Sequence, residues 1–390
     1  MSLVMFIVQI GSYPQSRDHV RGGVEASVFG LAQEQSHDHE VHVFDIPRIG
    51  GTNGVEHDGE VIVHRFCNNG KNNVSSSRQV NAIVQEVHAL NPDVCHIHGT
   101  GLFSWQMYKA VKELKLKAVV TVHGLIRVEK RNMLRKGFTF KRFVQFVYQG
   151  FVEKRFLSSL RVAIVDTEYV RKMVNSYPIC RKPEMYVVPQ GIAEKYFSLH
   201  CSVDSRMFLS VGAIGERKGH LITLKAFEQL RQNGMNAKLV IVGTIANQEY
   251  YDRLRNAIDQ SSCKEEVVLL SDLSDGELKK LYESAHVFVL HSEEESQGIV
   301  FAEAMATGMP VVSTLVGGIP FVVSHDGNGL LSEYGNVDRF VRNMELLLND
   351  AGVWKRMSED AISAVDKYHW SYIRNEVMKV YKKVVEEKAE

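Results

Sequence analysis

The segment ESQGIVFAEAMATGMPVV (295–312) sets two carboxylates, Glu295 and Glu303, eight positions apart among small, apolar and glycine residues. Neighbours of this kind belong in a core, where an ionised carboxylate is costly unless it is paired or hydrogen-bonded. A strand-like run, HVFVL (286–290), and a polar loop, HSEEES, come before it. Ser296 has the chemistry of a helix N-cap, and Gly308 followed by Pro310 that of a helix stop. Together they predict a helix of about three turns. The amides around Gly298 and Ile299 then form an anion site reinforced by the helix dipole. Glu295 stands at its mouth and Glu303 further along the helix. One carboxylate alone would read as a dipole or ion-pair partner, whereas two on a single strand–glycine–helix unit point to ligand contacts.

A second unit of the same design is VGAIGERKGHLITLKAF (211–227). Gly212, Gly215 and Gly219 permit tight turns, and Arg217 and Lys218 bring positive charge suited to a phosphate or diphosphate. A solvated Arg-Lys pair is the plainer reading of those two residues alone. The glycines do not spell G-x-G-x-x-G, which disfavours a nicotinamide dehydrogenase. Near the start, Gly22 and Gly23 precede an amphipathic stretch and can bring backbone amides against a ligand, although a simple turn explains a lone Gly-Gly equally well. HIHG (96–99) and TVHG (121–124) each close a strand-like run. His123, followed by glycine, is the sharper candidate, and His96 reads as a satisfied core histidine. No third ligand completes a metal site around them.

Residues 127–161 combine Arg127, Lys130, Arg131, Arg135, Lys136, Lys141, Arg142, Lys154, Arg155 and Arg161 with only two acids, Glu129 and Glu153. Phenylalanines are interleaved. Phe143, Phe146 and Val147 fit one helical face and read in part as core. The basic excess also suits an anionic membrane surface or a phosphate-bearing acceptor, with Arg127 to Arg142 as its centre.

These units need a frame that presents strand ends to a ligand. Continuous β-branched runs alternate with helix-length segments along the whole chain, the pattern of parallel sheets covered on both faces. At 390 residues two doubly wound domains are expected. The pattern lapses at 187–206, which places one domain at 1–195 and a second at 196–368. The closing helical stretch, 369–390, is expected to pack back on the first. Doubly wound sheets bind ligands at the carboxyl ends of their strands.

Composition narrows the class. No apolar run approaches the ~18 residues of a membrane span, and Met1–Ile10 lacks the pattern of a signal peptide. Five scattered cysteines without a C-x-x-C pair argue against a disulfide framework and fit a reducing cytoplasm. Residues 1–195 carry 25 Lys+Arg against 18 Asp+Glu and the remainder 21 against 28, so a formally neutral chain has a basic first half and an acidic second. Two lobes with different partners are expected.

Taken in order, RGGVEASVFGLA, HIHG, TVHG, VDTEYVRKMV, VVPQGI, VGAIGERKG, KLVIVG, ESQGIVFAEAMATGMPVV and VGGIPFVV resemble the group 1 (family 4 type) retaining glycosyltransferases of the GT-B fold. The resemblance covers nearly the whole chain. It implies two Rossmann-like domains facing across a cleft, an N-terminal acceptor domain and a C-terminal nucleotide-sugar domain. Glu303 matches the residue that holds the donor's ribose, Glu295 the one beside the donor sugar, and Gly298 and Ile299 the backbone donors to the diphosphate. Lys218 matches the phosphate ligand, His123 the histidine beside the sugar, and Gly22 and Gly23 the loop closing over the donor. The implied reaction moves a sugar to a saccharide or lipid-linked saccharide, without metal or organic cofactor, at the cytoplasmic face of a membrane. No nucleic acid is expected as a partner. Three departures stand out: Ala213 where an arginine is common, Gln190 for the asparagine of P-N-G, and Phe321 for an acid after GGIP. A nucleotide-sugar epimerase and a non-catalytic sugar-nucleotide-binding protein remain as alternatives.

Overall fold

The computed structural model describes residues 4–17, 20, 22–46, 48–49, 53–68, 77–126, 128, 140–179 and 181–387. The chain divides into two compact units, Met1–Gly191 with Trp370–Glu390, and Ile192–His369.

The first unit is built on an eight-stranded sheet. From one edge its strands are Glu184–Val187, Val162–Val165, Ala118–Val122, Val94–His98, Phe6–Gly11, Glu40–Asp45, Val61–Arg65 and Gly54–Asp58. All pairs are parallel except the last. The edge strand Gly54–Asp58 has no apolar alternation, which is why the sequence reading missed it. The helix Trp370–Glu386 belongs to this unit. Its Trp370, Ile373, Val377 and Tyr381 share a core cluster with Ile7, Val28, Leu31 and Val41. Contact is so close that a β-carbon on Gly30 would fall 2.1 Å from the Trp370 ring.

The helix Phe140–Ser159 overturns one expectation. Phe143 and Val147 are exposed, at 42% and 51%, and the core side of the helix is instead Val152, Phe156 and Leu157. No helix among the described residues is long and apolar enough to cross a membrane.

The second unit carries a six-stranded parallel sheet in the order Val267–Leu270, Lys238–Val242, Met207–Val211, Val287–Leu290, Val311–Thr314 and Gly329–Ser332. Both faces are apolar. Leu209, Val211, Phe288 and Leu290 lie in one core cluster and Phe208, Val287 and Val289 in another, as the two-residue period of a strand requires. The sixth strand, GLLS, is short and opens on glycine, too brief a run to stand out in the sequence. Counted in chain order the strands stand 3-2-1-4-5-6, and direction reverses between Met207–Val211 and Val287–Leu290. At such a reversal the following loops diverge and leave a crevice at the carboxyl ends of the strands.

Candidate functional site

In the second unit, the loops leaving Met207–Val211 and Val287–Leu290 carry the two sequence motifs. A short 3-10 turn, Glu216–Lys218, leads through Gly219 into the helix His220–Gln232. Gly219 is left-handed, and a β-carbon there would lie 2.0 Å from the carbonyl oxygen of His291. That approach holds the two loops together, helped by the Glu293 amide donating to Arg217 O at 2.8 Å.

The motif side chains meet at this junction. Lys218 Nζ donates to Glu295 Oε1 and pairs with it. Arg217 Nη1 lies 3.3 Å from Glu295 Oε2 and donates to Glu294 O at 3.1 Å. Ser292 Oγ donates to Glu295 Oε1 at 3.0 Å. Both Lys218 and Glu295 are buried. Burial alone would raise the Glu295 pKa. Lys218 and Arg217, with hydrogen bonds from Lys218 and Ser292, outweigh it and hold the carboxyl below its ordinary value. Burial lowers the Lys218 amine against the pull of Glu295.

The helix is Ile299–Ala306, with Gly298 as its N-cap. Both the expected Ser296 cap and the expected length are therefore corrected. The reason lies in the loop. Gly318 N donates to Glu295 O at 2.7 Å, and β-carbons on Gly317 and Gly318 would fall 2.2 Å from Glu295 O and 1.9 Å from Ser296 O. The backbone at 295–296 is thus pinned against the VGGIP turn, and the chain enters the helix only after the left-handed Gly298. This second glycine pair was noticed in the sequence without being assigned a role. The amides of Gly298 and Ile299 begin the helix, where partners within the helix are lacking.

Glu303 projects from the same helix and accepts from Tyr282 OH at 3.0 Å. Burial pushes its pKa up to about 7, against the Tyr282 hydrogen bond and the charges of Lys195 and Lys218. One carboxylate of the pair is therefore held charged and the other sits near neutrality.

The first unit assembles a different site on four neighbouring strands that begin beside its own reversal, between Phe6–Gly11 and Val94–His98, and run away from it. Four neighbouring strands each deliver one side chain at or just beyond their carboxyl ends: His98, His123, Asp166 and Gln190. His98 Nδ1 is 3.1 Å from His123 Nε2, and His123 Nδ1 is 3.1 Å from Asp166 Oδ2. Gln190 Nε2 donates to Asp166 and lies 3.1 Å from His123 Nδ1. A carboxylate only accepts, so in the neutral tautomer with hydrogen on Nδ1, His123 donates to Asp166 and its Nε2 accepts from His98 Nδ1–H. The Gln190 amide, itself a donor, bonds Asp166 rather than His123 Nδ1. His98 Nε2 then ends the line as a buried nitrogen without a hydrogen-bond partner among the described residues. Burial, with His96 and His123 nearby, holds the His98 pKa well below its ordinary value.

His96 sits between Thr121 Oγ1 and Tyr381 OH, each at 2.6 Å, and burial pushes its pKa down to about 3. Sequence reasoning singled out His123 and gave no site role to His98, Asp166 or Gln190, although all three stand in motifs it quoted, HIHG, VDTEYVRKMV and VVPQGI. Gly22, at φ +80°, opens the helix Gly22–Ser36 with open space where a β-carbon would point. Gly23 follows in the same first turn. Arg127, Lys130, Arg131, Arg135 and Lys136 lie outside the described residues, as do the side chains of Lys141 and Arg142.

Two parallel α/β units with polar clusters at their strand reversals define a two-domain ligand-binding architecture. Comparison with known proteins supplies the family. A model of glycosyl transferases group 1 matches residues 193–364, and one of Glycosyltransferase Family 4 matches residues 21–195. The chain belongs to the group 1 glycosyltransferases and has the GT-B fold. An uncharacterized glycosyltransferase of Methanocaldococcus jannaschii is 35% identical over 184 residues, covering 47% of this chain and 46% of that one. Among solved structures, sucrose-phosphate synthase from Thermosynechococcus elongatus superposes with a TM-score of 0.80 at 19% identity, covering 97% of this chain and 99% of the other. HepE of Anabaena, in complex with UDP-glucose, gives a TM-score of 0.75 at 16% identity, covering 97% and 100%. The chain spans about half the length of the first curated relatives it matches, at 46%, 58% and 43%.

Proposed function

We propose that the protein transfers a sugar from a nucleotide-diphosphate sugar to an acceptor hydroxyl with retention of anomeric configuration, in the synthesis of a surface polysaccharide or glycolipid. The observation that carries this reading is the Lys218–Glu295–Arg217 cluster beside the start of helix Ile299–Ala306, at the strand reversal of the second unit. The UDP-glucose complex of HepE supports a nucleotide-sugar donor.

In this reading Glu303 accepts hydrogen bonds from the ribose hydroxyls. The diphosphate lies against the amides of Gly298 and Ile299, and Lys218 exchanges part of its contact with Glu295 for a phosphate oxygen. Arg217 supplies the second positive charge, taking the part of the arginine that Ala213 replaces. Glu295, released from full pairing, contacts the donor sugar. The acceptor oxygen forms its bond to the anomeric carbon on the face from which the diphosphate departs. The acceptor proton passes to the departing phosphate oxygen, so the products are a glycoside and a nucleoside diphosphate. Negative charge growing on that oxygen is stabilised by Lys218, Arg217 and the helix amides, which are oriented before the reaction begins. No metal or organic cofactor has a part in this scheme. His123 and the Gly22–Gly23 turn are the first unit's own candidates for ligand contact.

A panel of nucleotide sugars tested first by thermal shift and then by donor hydrolysis and acceptor transfer checks the proposal. Stabilisation by one donor and a product of retained configuration by NMR are expected. Interconversion of the free donor's sugar without acceptor would instead establish an epimerase. Binding with neither hydrolysis nor transfer would establish a non-catalytic binder.

A further inference from the structure

The helix Phe140–Ser159 has two apolar sides. One is ordinary core: Val152, Phe156 and Leu157 are buried. The other faces solvent. Phe140 is 75% exposed, Val144 49%, Val147 51%, Tyr148 53% and Phe151 55%. Their spacing, i, i+4, i+7, i+8 and i+11, makes one continuous stripe along the helix. Single exposed apolar residues are ordinary, whereas a contiguous stripe of this kind marks an interaction surface.

Its position explains why it is bare. Glu153 is fully buried and accepts from Thr100 Oγ1 at 3.0 Å and Ile126 N at 2.7 Å. Thr100 and Ile126 lie on the loops that follow strands Val94–His98 and Ala118–Val122. The helix is thus pinned at the carboxyl edge of the sheet by its fourteenth residue. At ~1.5 Å per residue, the thirteen residues before it extend for about 20 Å, and none of those from Phe143 to Gly150 is buried.

Charge decides what such an overhang fits. The helix sequence contains Lys141, Arg142, Lys154 and Arg155 against one acid, Glu153, and that acid is directed into the protein. Lys154 and Arg155 are exposed, with the Arg155 guanidinium 5.5 Å from the Phe151 ring centre. The solvent side is therefore aromatic and aliphatic along its centre and basic at its margins. Two copies of this face would set like charges against one another. An anionic bilayer matches both features, receiving the apolar stripe below the headgroups and the basic margin among them.

We propose that the Phe140–Phe151 stripe is a membrane-docking surface that inserts into bilayers bearing anionic headgroups. The inference is independent of the donor chemistry, because its readout is binding to lipid.

Co-sedimentation of the full chain with phosphatidylcholine vesicles, with and without phosphatidylglycerol, tests it. Binding is expected only when phosphatidylglycerol is present and should weaken as salt rises. Val147→Glu/Phe151→Glu should abolish binding, and Lys154→Glu/Arg155→Glu should weaken it about tenfold. Neither pair touches the site residues, so the melting temperature and nucleotide-sugar thermal shift should remain as in the wild type. Tyr148→Trp offers a milder readout, with a fluorescence blue shift relative to wild type on adding the anionic vesicles. Failure to bind those vesicles would overturn the proposal, as would binding unaffected by Val147→Glu/Phe151→Glu. Self-association of the wild type that these substitutions abolish, without lipid binding, would assign the stripe to a second copy instead.

Discussion

The two sheets reverse strand order in the same way and use the reversal for opposite chemistry. In the second unit the loops bring together full charges, with Glu295 between Lys218 and Arg217. In the first unit the strand ends bring together a line of hydrogen-bonding groups, His98, His123, Asp166 and Gln190, in which polarity is set by which nitrogen carries the hydrogen. A cluster of paired charges can exchange partners when an anion arrives. A hydrogen-bonded histidine line holds one tautomer and direction, which suits the orientation of a neutral hydroxyl. Common topology therefore says where such polar clusters form, and the local residues set their chemistry.

The largest test removes the charge cluster. Lys218→Ala should lower transfer by about 10²–10³-fold, the scale of losing one preorganised donor to a developing negative charge. It should also lower stability by about 3–5 kcal/mol, because Glu295 would be left buried without its principal partner. Lys218→Met/Glu295→Gln separates the effects: the melting temperature should recover while activity stays absent. Near-normal turnover in either variant would remove the second site from the proposed chemistry.

Glu303 gives the next effect, and it carries a sign. Its pKa rises from the ordinary 4.5 to about 7 in the folded protein. Between those values the folded state binds more protons than the unfolded one, so this carboxyl makes stability fall as pH rises from about 4.5 through about 7. Glu303→Gln should therefore raise the melting temperature at pH 8 relative to wild type, by a free energy on the order of 3 kcal/mol, and leave it nearly unchanged at pH 4.5. Donor affinity should move the other way. A charged carboxylate accepts from two hydroxyls, so wild-type affinity should grow as pH rises through 7, and the Gln variant should lose that dependence. Isothermal titration at several pH values reads both. A pH-independent stability difference would show that Glu303 titrates normally.

Much of this was readable before any coordinates, for a physical reason. The strands of the second sheet are buried on both faces, so they appear as unbroken apolar runs, and the charged loops between them stand out by contrast. Lys218 and Glu295 stand out in those loops, and Glu303 stands out as the one charge in an otherwise apolar helix. Gly298 was identified as a backbone donor, yet its role as the helix N-cap was not, because the cap depends on a backbone contact with Gly317–Gly318 from another part of the chain. The first-unit site was less legible. His98, Asp166 and Gln190 come from three separate strands, and only the spatial order of those strands lines them up. The exposed stripe on Phe140–Ser159 had the periodicity of a core face. Which side of the helix is buried follows from Glu153 being drawn to Thr100 and Ile126, which periodicity does not encode.

The histidine line can be tested by its polarity. His98→Ala should leave His123 Nε2 without its donor and lower turnover about ten- to a hundredfold, in keeping with the cost of a misplaced group, with little change in donor KM. Nitrogen chemical shifts of His123 should show Nδ1 protonated in the wild type. Asp166→Asn should weaken that preference and alter the pH profile of transfer. Protonation of Nε2 in the wild type would reverse the direction assigned to the whole line.

The smallest effect concerns Gln190. Its amide donates to Asp166 and lies 3.1 Å from His123 Nδ1, so the longer side chain here helps fix the carboxylate that orients His123. Gln190→Asn shortens that reach by one methylene. The expected loss is a single neutral-to-charged hydrogen bond, about 1.5–3 kcal/mol at most, and less if the asparagine amide recovers part of the contact. Turnover should fall only a few-fold. The discriminating measurement is again the His123 tautomer. If Gln190→Asn leaves it unchanged while Asp166→Asn shifts it, Asp166 sets the direction of the line and Gln190 only steadies Asp166. If Gln190→Asn shifts it as strongly, the amide is an equal partner with Asp166 in setting the direction of the line.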